Sequence, residues 1–347
     1  MAGQDFLSWW PFADDTDTPP PQPAPMFGPV NPPIQLGPTP PMVATTPEDP
    51  LQSAALQAAV ATFANADYLT ATYDLGARGM AELYDAVLVP QWSRPFGELL
   101  LSQLRVLPRP ADAHVLDVAC GTGYPTLDIA RMLGQGAEIH GVDVWGQAIE
   151  RAKRNATEAW LRHVTFQQGD IAHIGLPEQA FDLVTCNVSY TSFADRSRVL
   201  AVMARLLKPG GWLVLTTPLQ TAFRQFLDLY HLVLTDLQLT SAVDALLALV
   251  KGRPTIATTK AAIERTGMVV EREIPERFTM HFVDAHDFLT SPVIALGFMV
   301  GWRTIVPDVA LRRLVFNEVE RRLNIRAAAE GGLTFDVPFL CLAARRV

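Results

Sequence analysis

The sequence predicts an α/β fold in which a mostly parallel, seven-stranded sheet carries helices on both of its faces. Two observations support this prediction. Short apolar runs alternate with helical patterns between residues 114 and 216, and this alternation is typical of parallel sheets. A glycine-containing turn follows the first run, and acidic residues stand at the ends of the first three runs. Polar side chains should therefore collect at one edge of the sheet.

Seven segments have the length and apolar character of strands. The predicted strands are residues 114–118, 138–142, 164–168, 181–186, 212–216, 268–272 and 334–344. The segments between the first five strands carry helical periodicity, and the predicted helices are residues 122–133, 146–160 and 196–207.

A long helical region lies between the fifth and the last strand. One helical pattern runs from residue 219 to about 250, and a second helix over residues 258–266 ends at Gly267, a good helix-capping residue. Helical segments continue to about residue 323.

Composition divides the chain into segments. Residues 1–50 hold about half of the 27 prolines, which disfavours helices and strands and predicts a disordered tail. We expect a helical cap over residues 51–110 and an α/β domain over 111–347, with a helical lid within 219–330. The aromatic and apolar side chains of residues 5–12 predict a docking segment for a protein partner, or one that folds back on the body.

Charge and cysteine usage exclude several classes of function. The first 77 residues carry eight acidic and no basic residues, and the remaining chain balances 28 acidic against 28 basic residues. A neutral body lacks the basic field that nucleic acids require, so no such partner is expected. Three cysteines without a C-x-x-C pair predict neither disulfides nor a metal site, and favour a cytoplasmic location. We expect no membrane span, because the most apolar stretch contains Pro292 and Arg303.

The turn after the first predicted strand carries the strongest functional signal. Gly121 and Gly123 allow a tight turn and a close approach of the backbone to a ligand at a helix N-terminus. Dinucleotide-binding proteins share this geometry, but their third glycine is replaced here by Thr126. Asp117 at the strand end would repel a pyrophosphate and would suit a cationic ligand.

Two further acids follow the next strands. Asp143 lies 20 residues beyond Gly123, where a carboxylate can accept two hydrogen bonds from a ribose diol. Asp170 ends the third strand and is followed by apolar Ile171. Three acids at consecutive carboxyl strand ends indicate a ligand site.

The pattern Asp-x-x-x-Gly-x-Gly after a strand closely resembles motif I of the class I S-adenosylmethionine (SAM)-dependent methyltransferases. Residues 206–211 resemble the turn that precedes the fifth strand of that family. Residues 84–90 and 333–339 resemble the cap and the C-terminal ending of a bacterial group related to the ubiquinone/menaquinone C-methyltransferases.

The resemblance implies a Rossmann-like fold in which residues 111–347 form the SAM-binding methyltransferase domain. It implies that Asp143 binds the ribose, that Asp170 binds the adenine amino group and that Ile171 lies against the adenine ring. The expected cofactor-binding residues are Asp117, Ala119, Gly121, Gly123, Asp143, Val144, Asp170, Ile171, Asn187 and Tyr84.

The implied reaction is methyl transfer from SAM to a small, apolar acceptor such as a quinol, a polyketide or a lipid-like metabolite. A base is needed only if the acceptor must lose a proton. The candidate bases are Tyr190, His231, His281 and His286. Tyr84 and Trp92 are expected to line the pocket or to pack within the cap.

Two other functions remain open at this point. A non-catalytic SAM-binding scaffold would use the same fold, and a nicotinamide-dependent oxidoreductase would use a similar turn. Thr126 and Asp117 disfavour the oxidoreductase. Nucleobase amino-methylation is disfavoured because Asn187 is not followed by Pro-Pro and an aromatic residue.

Overall fold

The computed structural model describes residues 50–347. The predicted tail before residue 50 and the docking segment at 5–12 therefore lie outside the described residues. Four helical segments precede the sheet: α1 (Pro50–Ala64), α2 (Met80–Leu83), a π-helix (Tyr84–Ser93) and α3 (Arg94–Val106).

A sheet of seven strands forms the centre of the α/β domain. Its strands are β1 (His114–Val118), β2 (Glu138–Asp143), β3 (Val164–Gln168), β4 (Phe181–Cys186), β5 (Leu207–Pro218), β6 (Met268–Phe282) and β7 (Leu333–Arg346). The first three crossover helices are α4 (Thr126–Leu133), α5 (Gly146–Glu158) and α6 (Arg196–Leu206).

The strand order is β3-β2-β1-β4-β5-β7-β6, and neighbouring strands from β3 to β5 are parallel. After β1 the chain adds β2 and β3 on one side of that strand, and it then crosses to the other side of β1 to form β4. The carboxyl ends of these strands therefore open into a crevice, where ligands bind in such sheets. The prediction of a mostly parallel, seven-stranded sheet is confirmed.

β7 runs antiparallel to both β5 and β6. β6 is much longer than the predicted residues 268–272 because its charged segment and Pro275 do not look like a strand. The position of β6 at the sheet edge explains both features: an edge strand tolerates proline and exposes charges to water. Phe278, Met280 and Phe282 on its extension are buried beneath the lid.

Seven helices lie between β5 and β7 on either side of β6. They are α7 (Arg224–Asp236), α8 (Thr240–Lys251), α9 (Ile256–Glu264), α10 (Ala285–Thr290), α11 (Pro292–Gly297), α12 (Met299–Thr304) and α13 (Val309–Glu330). The single helix predicted to about residue 250 is wrong, because Gln238 adopts a left-handed conformation, with φ of 55°, between α7 and α8.

A cluster of aromatic side chains forms the interior of the lid. Trp302 is fully buried and lies 4.2 Å from Phe226 between ring centroids. Phe223 and Tyr230 are also fully buried in this cluster. These residues of α7 and the turn before it are core residues, as aromatic residues at helical spacing usually are.

No helix within residues 50–347 is long and apolar enough to cross a membrane.

Candidate active site

The loop between β1 and α4 has the tight backbone that the glycines predict. Ala119, Gly121 and Gly123 have φ values of 59°, 53° and 103°. Glycine adopts this region without steric cost, which explains two of the three positions. The loop continues to Pro125, so α4 begins at Thr126 rather than at the predicted residue 122. The N-terminus of α4 thus opens toward the carboxyl edge of the sheet.

Asp117 lies beneath this loop and is almost completely buried. Its two carboxylate oxygens accept hydrogen bonds from the hydroxyls of Thr126, at 2.5 Å, and Thr185, at 2.7 Å. Burial raises the pKa of Asp117 to about 6, although both hydrogen bonds act to lower that pKa. Thr126, which replaces the third glycine of dinucleotide-binding proteins, therefore fixes this carboxylate under the loop.

Asp143 and Gly121 are in direct contact. One Asp143 oxygen accepts a hydrogen bond from the Gly121 N–H at 2.8 Å, and the other accepts from the Trp145 N–H at 2.9 Å. Burial raises the pKa of Asp143. Val144, which lies between Asp143 and Trp145 in the sequence, is 64% exposed.

Asp170 and Ile171 have different environments at the end of β3. Ile171 is buried, whereas Asp170 is exposed. The Asp170 carboxylate accepts hydrogen bonds from the Ala172 N–H at 2.9 Å and from His173 Nδ1 at 2.8 Å. These bonds lower its pKa. No hydrogen bond described for residues 50–347 joins Asp170 to the loop after β1.

Asn187 follows β4 and connects the sheet to the π-helix. Its Nδ2 donates to the carbonyl of Ser93 at 3.1 Å, and its Oδ1 accepts from the Thr216 hydroxyl at 2.7 Å. The side chain is buried. Asn187 thus positions the end of the π-helix over the strand ends.

Tyr84 begins the π-helix and covers the loop after β1. Its ring makes an edge contact with Trp145 at 5.5 Å between centroids, and it lies beside Gly121. Burial raises the pKa of Tyr84, so its phenol stays protonated at neutral pH. Trp145 is held in turn by a hydrogen bond of 2.9 Å from its indole N–H to the carbonyl of Leu75.

Asp85, the next residue, joins the cap to the loop after β1. This structural role was not identified from the sequence. Its carboxylate accepts hydrogen bonds from Thr122 Oγ1 at 2.8 Å, Arg151 Nε at 2.9 Å and Asn155 Nδ2 at 2.9 Å. Asn155 also donates to the carbonyl of Thr122 at 3.0 Å. One carboxylate thus connects the π-helix, the loop and α5.

A cavity of about 650 Å³ opens beside this loop, between the cap and the lid. It lies outside the carboxyl ends of β4 and β5. Most of its wall is apolar or aromatic. Its lining includes Tyr84, Leu88, Trp92, Trp145, Val188, Leu219, Leu249, Val293, Phe298 and Trp302.

The four candidate bases do not line this cavity. Tyr190 is buried, and burial raises its pKa. His231 lies on α7, and burial lowers its pKa. His281 on β6 is exposed and contacts Thr334 Oγ1 at 3.2 Å, and His286 on α10 is also exposed.

Two arginines that were not identified from the sequence also line the cavity. Arg196 begins α6, and Arg253 lies in the turn between α8 and α9. The sequence did not single them out, because they lie in two separate segments of the chain. They come to the same cavity wall only in the folded protein, where the lid covers the ends of β4 and β5.

Residues 110–253 match a family described as a methyltransferase domain. The nocamycin O-methyltransferase of Saccharothrix syringae is 30% identical over 280 residues, which cover 77% of this chain and 95% of that protein. The demethylmenaquinone methyltransferase of Deinococcus radiodurans is 40% identical over 102 residues, which cover 29% of this chain and 42% of that protein. The aklanonic acid methyltransferase of Streptomyces sp. (strain C5) is 34% identical over 105 residues, which cover 30% of this chain and 44% of that protein.

The first of these relatives aligns over nearly its whole length, and the sheet order and the loop after β1 have the arrangement that the motifs predicted. The chain therefore belongs to the class I SAM-dependent methyltransferases that act on small molecules, and S-adenosylmethionine is its cofactor.

Proposed function

We propose that this enzyme methylates a small, largely apolar acceptor, such as a quinol, a polyketide or a lipid-like metabolite, in the cavity between cap and lid. One observation carries the proposal. Tyr84 and Trp145, which contact each other beside the loop after β1, also line a cavity of about 650 Å³ whose walls are mostly apolar. A volume of this size suits a compact organic molecule.

We propose that SAM binds at the loop after β1. The residues present fit this cofactor: the carboxylate of Asp143 can accept hydrogen bonds from the ribose diol, and buried Ile171 offers an apolar surface to adenine. The negative charge of Asp117 beneath the loop favours a cationic ligand. Gly121 leaves space beside Tyr84 that a side chain would narrow.

The protein's contribution to such a reaction is position and the exclusion of water. SAM supplies the electrophilic methyl group, so no protein nucleophile is required. Orientation alone can provide effective molarities on the order of 10⁵–10⁸ M. Tyr84 and Trp145 contact each other beside the loop and also line the cavity, so the cofactor and the acceptor would meet at these rings. The apolar wall would reduce the contact of the acceptor with water.

The names of the relatives agree with this class of acceptor. They describe methyltransferases for nocamycin, demethylmenaquinone and aklanonic acid. We also propose a cytoplasmic location, which is supported by three cysteines that are buried and unpaired.

A cavity-filling substitution tests the proposed acceptor site. Gly297 lines the cavity, and a side chain added there meets no atom within 4 Å at its first carbon. We expect Gly297→Trp to raise the KM of an apolar phenolic acceptor found in a substrate screen by about tenfold, the effect of losing roughly 1.4 kcal/mol of binding. The Kd of SAM should not change.

The control is Gly297→Ala, which changes the same position without filling the cavity. Equal acceptor KM values in the two variants would contradict the proposed site. A screen in which polar amines are methylated and apolar phenols are not would contradict the proposed class of acceptor.

A further inference from the structure

Arg253 presents a guanidinium group at the wall of the acceptor cavity. Its Nη1 donates a hydrogen bond to the carbonyl of Ala222 at 2.9 Å, which holds the side chain against the turn after β5. Within the described part of the chain, no carboxylate forms an ion pair with it at 4.0 Å or less. Burial lowers the pKa of Arg253 to about 10, so it remains charged at neutral pH.

A partly buried cation without a carboxylate partner costs folding free energy. Some arginines of the lid avoid this cost with carboxylate partners, as Arg322 does with Asp236 and Glu318. Others, such as Arg303 and Arg312, donate to backbone carbonyls. The charge of Arg253 would be compensated if a bound anion supplied the missing partner.

The remaining polar groups of the cavity wall are donors or neutral. Arg196 lies at the same wall and donates to the carbonyl of Gly252 at 3.4 Å. The buried indole N–H of Trp302 has no hydrogen-bond partner among residues 50–347. No Asp, Glu, His or Lys side chain in that range lines the cavity. The wall therefore carries positive charge that no residue of the wall balances.

From this charge pattern we propose that the methyl acceptor is an apolar acid bound as its anion, with the anionic group paired with Arg253. This inference rests on the proposed function of the cavity. A carboxylate or an acidic enol or phenol on an apolar body matches both the aromatic wall and the guanidinium.

An ionised acceptor also explains how the reaction proceeds without a base in the cavity. The lone pair of the acceptor oxygen forms the bond to the methyl carbon, and the electrons of the broken carbon–sulfur bond return to the sulfonium sulfur. No proton has to move. The product has lost the charge that Arg253 binds, which favours its release.

The test uses two probes that differ in charge but not in shape: 1-hydroxy-2-naphthoate and its carboxamide. Calorimetry would measure the Kd of each for the full-length protein saturated with S-adenosylhomocysteine. We expect the carboxylate to bind about tenfold more tightly than the amide, because hydrogen bonds to charged groups are the stronger ones. In Arg253→Gln this preference should disappear, and in Arg253→Lys part of it should remain.

Arg205→Gln provides a matched control, since Arg205 pairs with Glu178 on the exposed surface. It should keep the full preference for the carboxylate. The Kd of SAM should be unchanged in Arg253→Gln, and a selective loss of SAM affinity would overturn the inference by assigning Arg253 to the cofactor. If Arg253→Gln does not fold, Arg253→Lys and the wild-type preference decide the question.

The two proposals fail in different ways. If the wild-type protein binds SAM but shows no preference for the carboxylate, the anionic acceptor is wrong and the methyltransferase site stands. If the wild-type protein does not bind SAM, the proposed cofactor site itself fails.

Discussion

The carboxylate of Asp117 is buried at the end of β1, beneath the loop where we propose that SAM binds. Two threonine hydroxyls donate to it, yet burial still raises its pKa to about 6. At neutral pH the folded protein therefore holds an ionised carboxylate in an unfavourable environment. A cationic ligand above the loop would reduce that cost.

We expect the substitution Asp117→Asn to stabilise the ligand-free protein more at pH 7 than at pH 4. A carboxyl with a folded-state pKa above its unfolded-state value binds its proton more tightly when folded. Stability is lost as pH rises from about 4 to above 6. The rise of the Asp117 pKa from about 4 to about 6 corresponds to roughly 3 kcal/mol of free energy, which is an upper limit because the substitution also alters hydrogen bonds.

Thermal unfolding of both proteins between pH 4 and pH 8 measures this effect. The difference between the two melting temperatures is the decisive quantity, because the contributions of the titrating groups that both proteins share cancel in that difference. A difference that does not change with pH would contradict the raised pKa.

The sequence singles out the acids and glycines because they lie at strand ends and in one turn, and their role in SAM binding stays a prediction. Asp143 and Gly121 are joined by a hydrogen bond, although 22 residues separate them. Arg253 and Asp85 could not be identified in this way. Their partners come from segments distant in sequence, which local patterns do not reveal.

At the scale of secondary-structure elements, the π-helix Tyr84–Ser93 is the link between cap and site. π-helical turns are rare and often occur at functional sites. Here Tyr84 covers the loop, Asp85 fixes it, and the Ser93 carbonyl accepts a hydrogen bond from Asn187. Both ends of the element are thus attached to the strand ends.

We expect Asp85→Ala to lower the free energy of unfolding by about 2–3 kcal/mol, because three partly buried donors lose a charged acceptor. Urea denaturation would measure the change. Glu178→Ala removes an exposed ion pair with Arg205 and should cost less than about 1 kcal/mol. Similar losses in the two variants would show that Asp85 does not hold the cap in place.

The sequence predicted the parallel strands more accurately than the lid. β1, β3 and β4 have the predicted bounds because they are short, apolar and bounded by polar turns. The full length of β6 and the break between α7 and α8 were missed. A left-handed Gln238 and a charged edge strand depend on tertiary contacts that local patterns do not reveal.

For the whole molecule, the lid is held by an aromatic core that also includes side chains of β6 and β7, and the parallel strands have core clusters of their own. Trp302 contributes to both the lid core and the cavity wall. The stability of the lid and the shape of the acceptor site therefore depend on the same packing.

The docking segment at residues 5–12 stays a prediction.

We expect Trp302→Ala to destabilise the protein by about 3–5 kcal/mol, since it removes a large, fully buried side chain. Trp160→Ala is the matched control, because Trp160 is 77% exposed. Chemical denaturation would compare the two variants. If both variants lost equally little stability, Trp302 would not be part of a well-packed lid core.

The fold class followed from the alternation of elements, whereas the cofactor-binding residues at the strand ends stay a prediction. The acceptor cavity could not be predicted, because its wall combines residues from the π-helix, the ends of β4 and β5, and the helices α8, α11 and α12. These segments are brought together only by the packing of the lid.

The most direct test of the account is a calorimetric titration of the full-length protein with SAM, beside Asp143→Ala and Asp143→Asn, with NAD as a control ligand. We expect one SAM site in the wild-type protein and an affinity at least about tenfold weaker in the alanine variant, because that variant loses charge-assisted hydrogen bonds. NAD should not bind. A wild-type protein that binds no SAM, or that prefers NAD, would contradict the account.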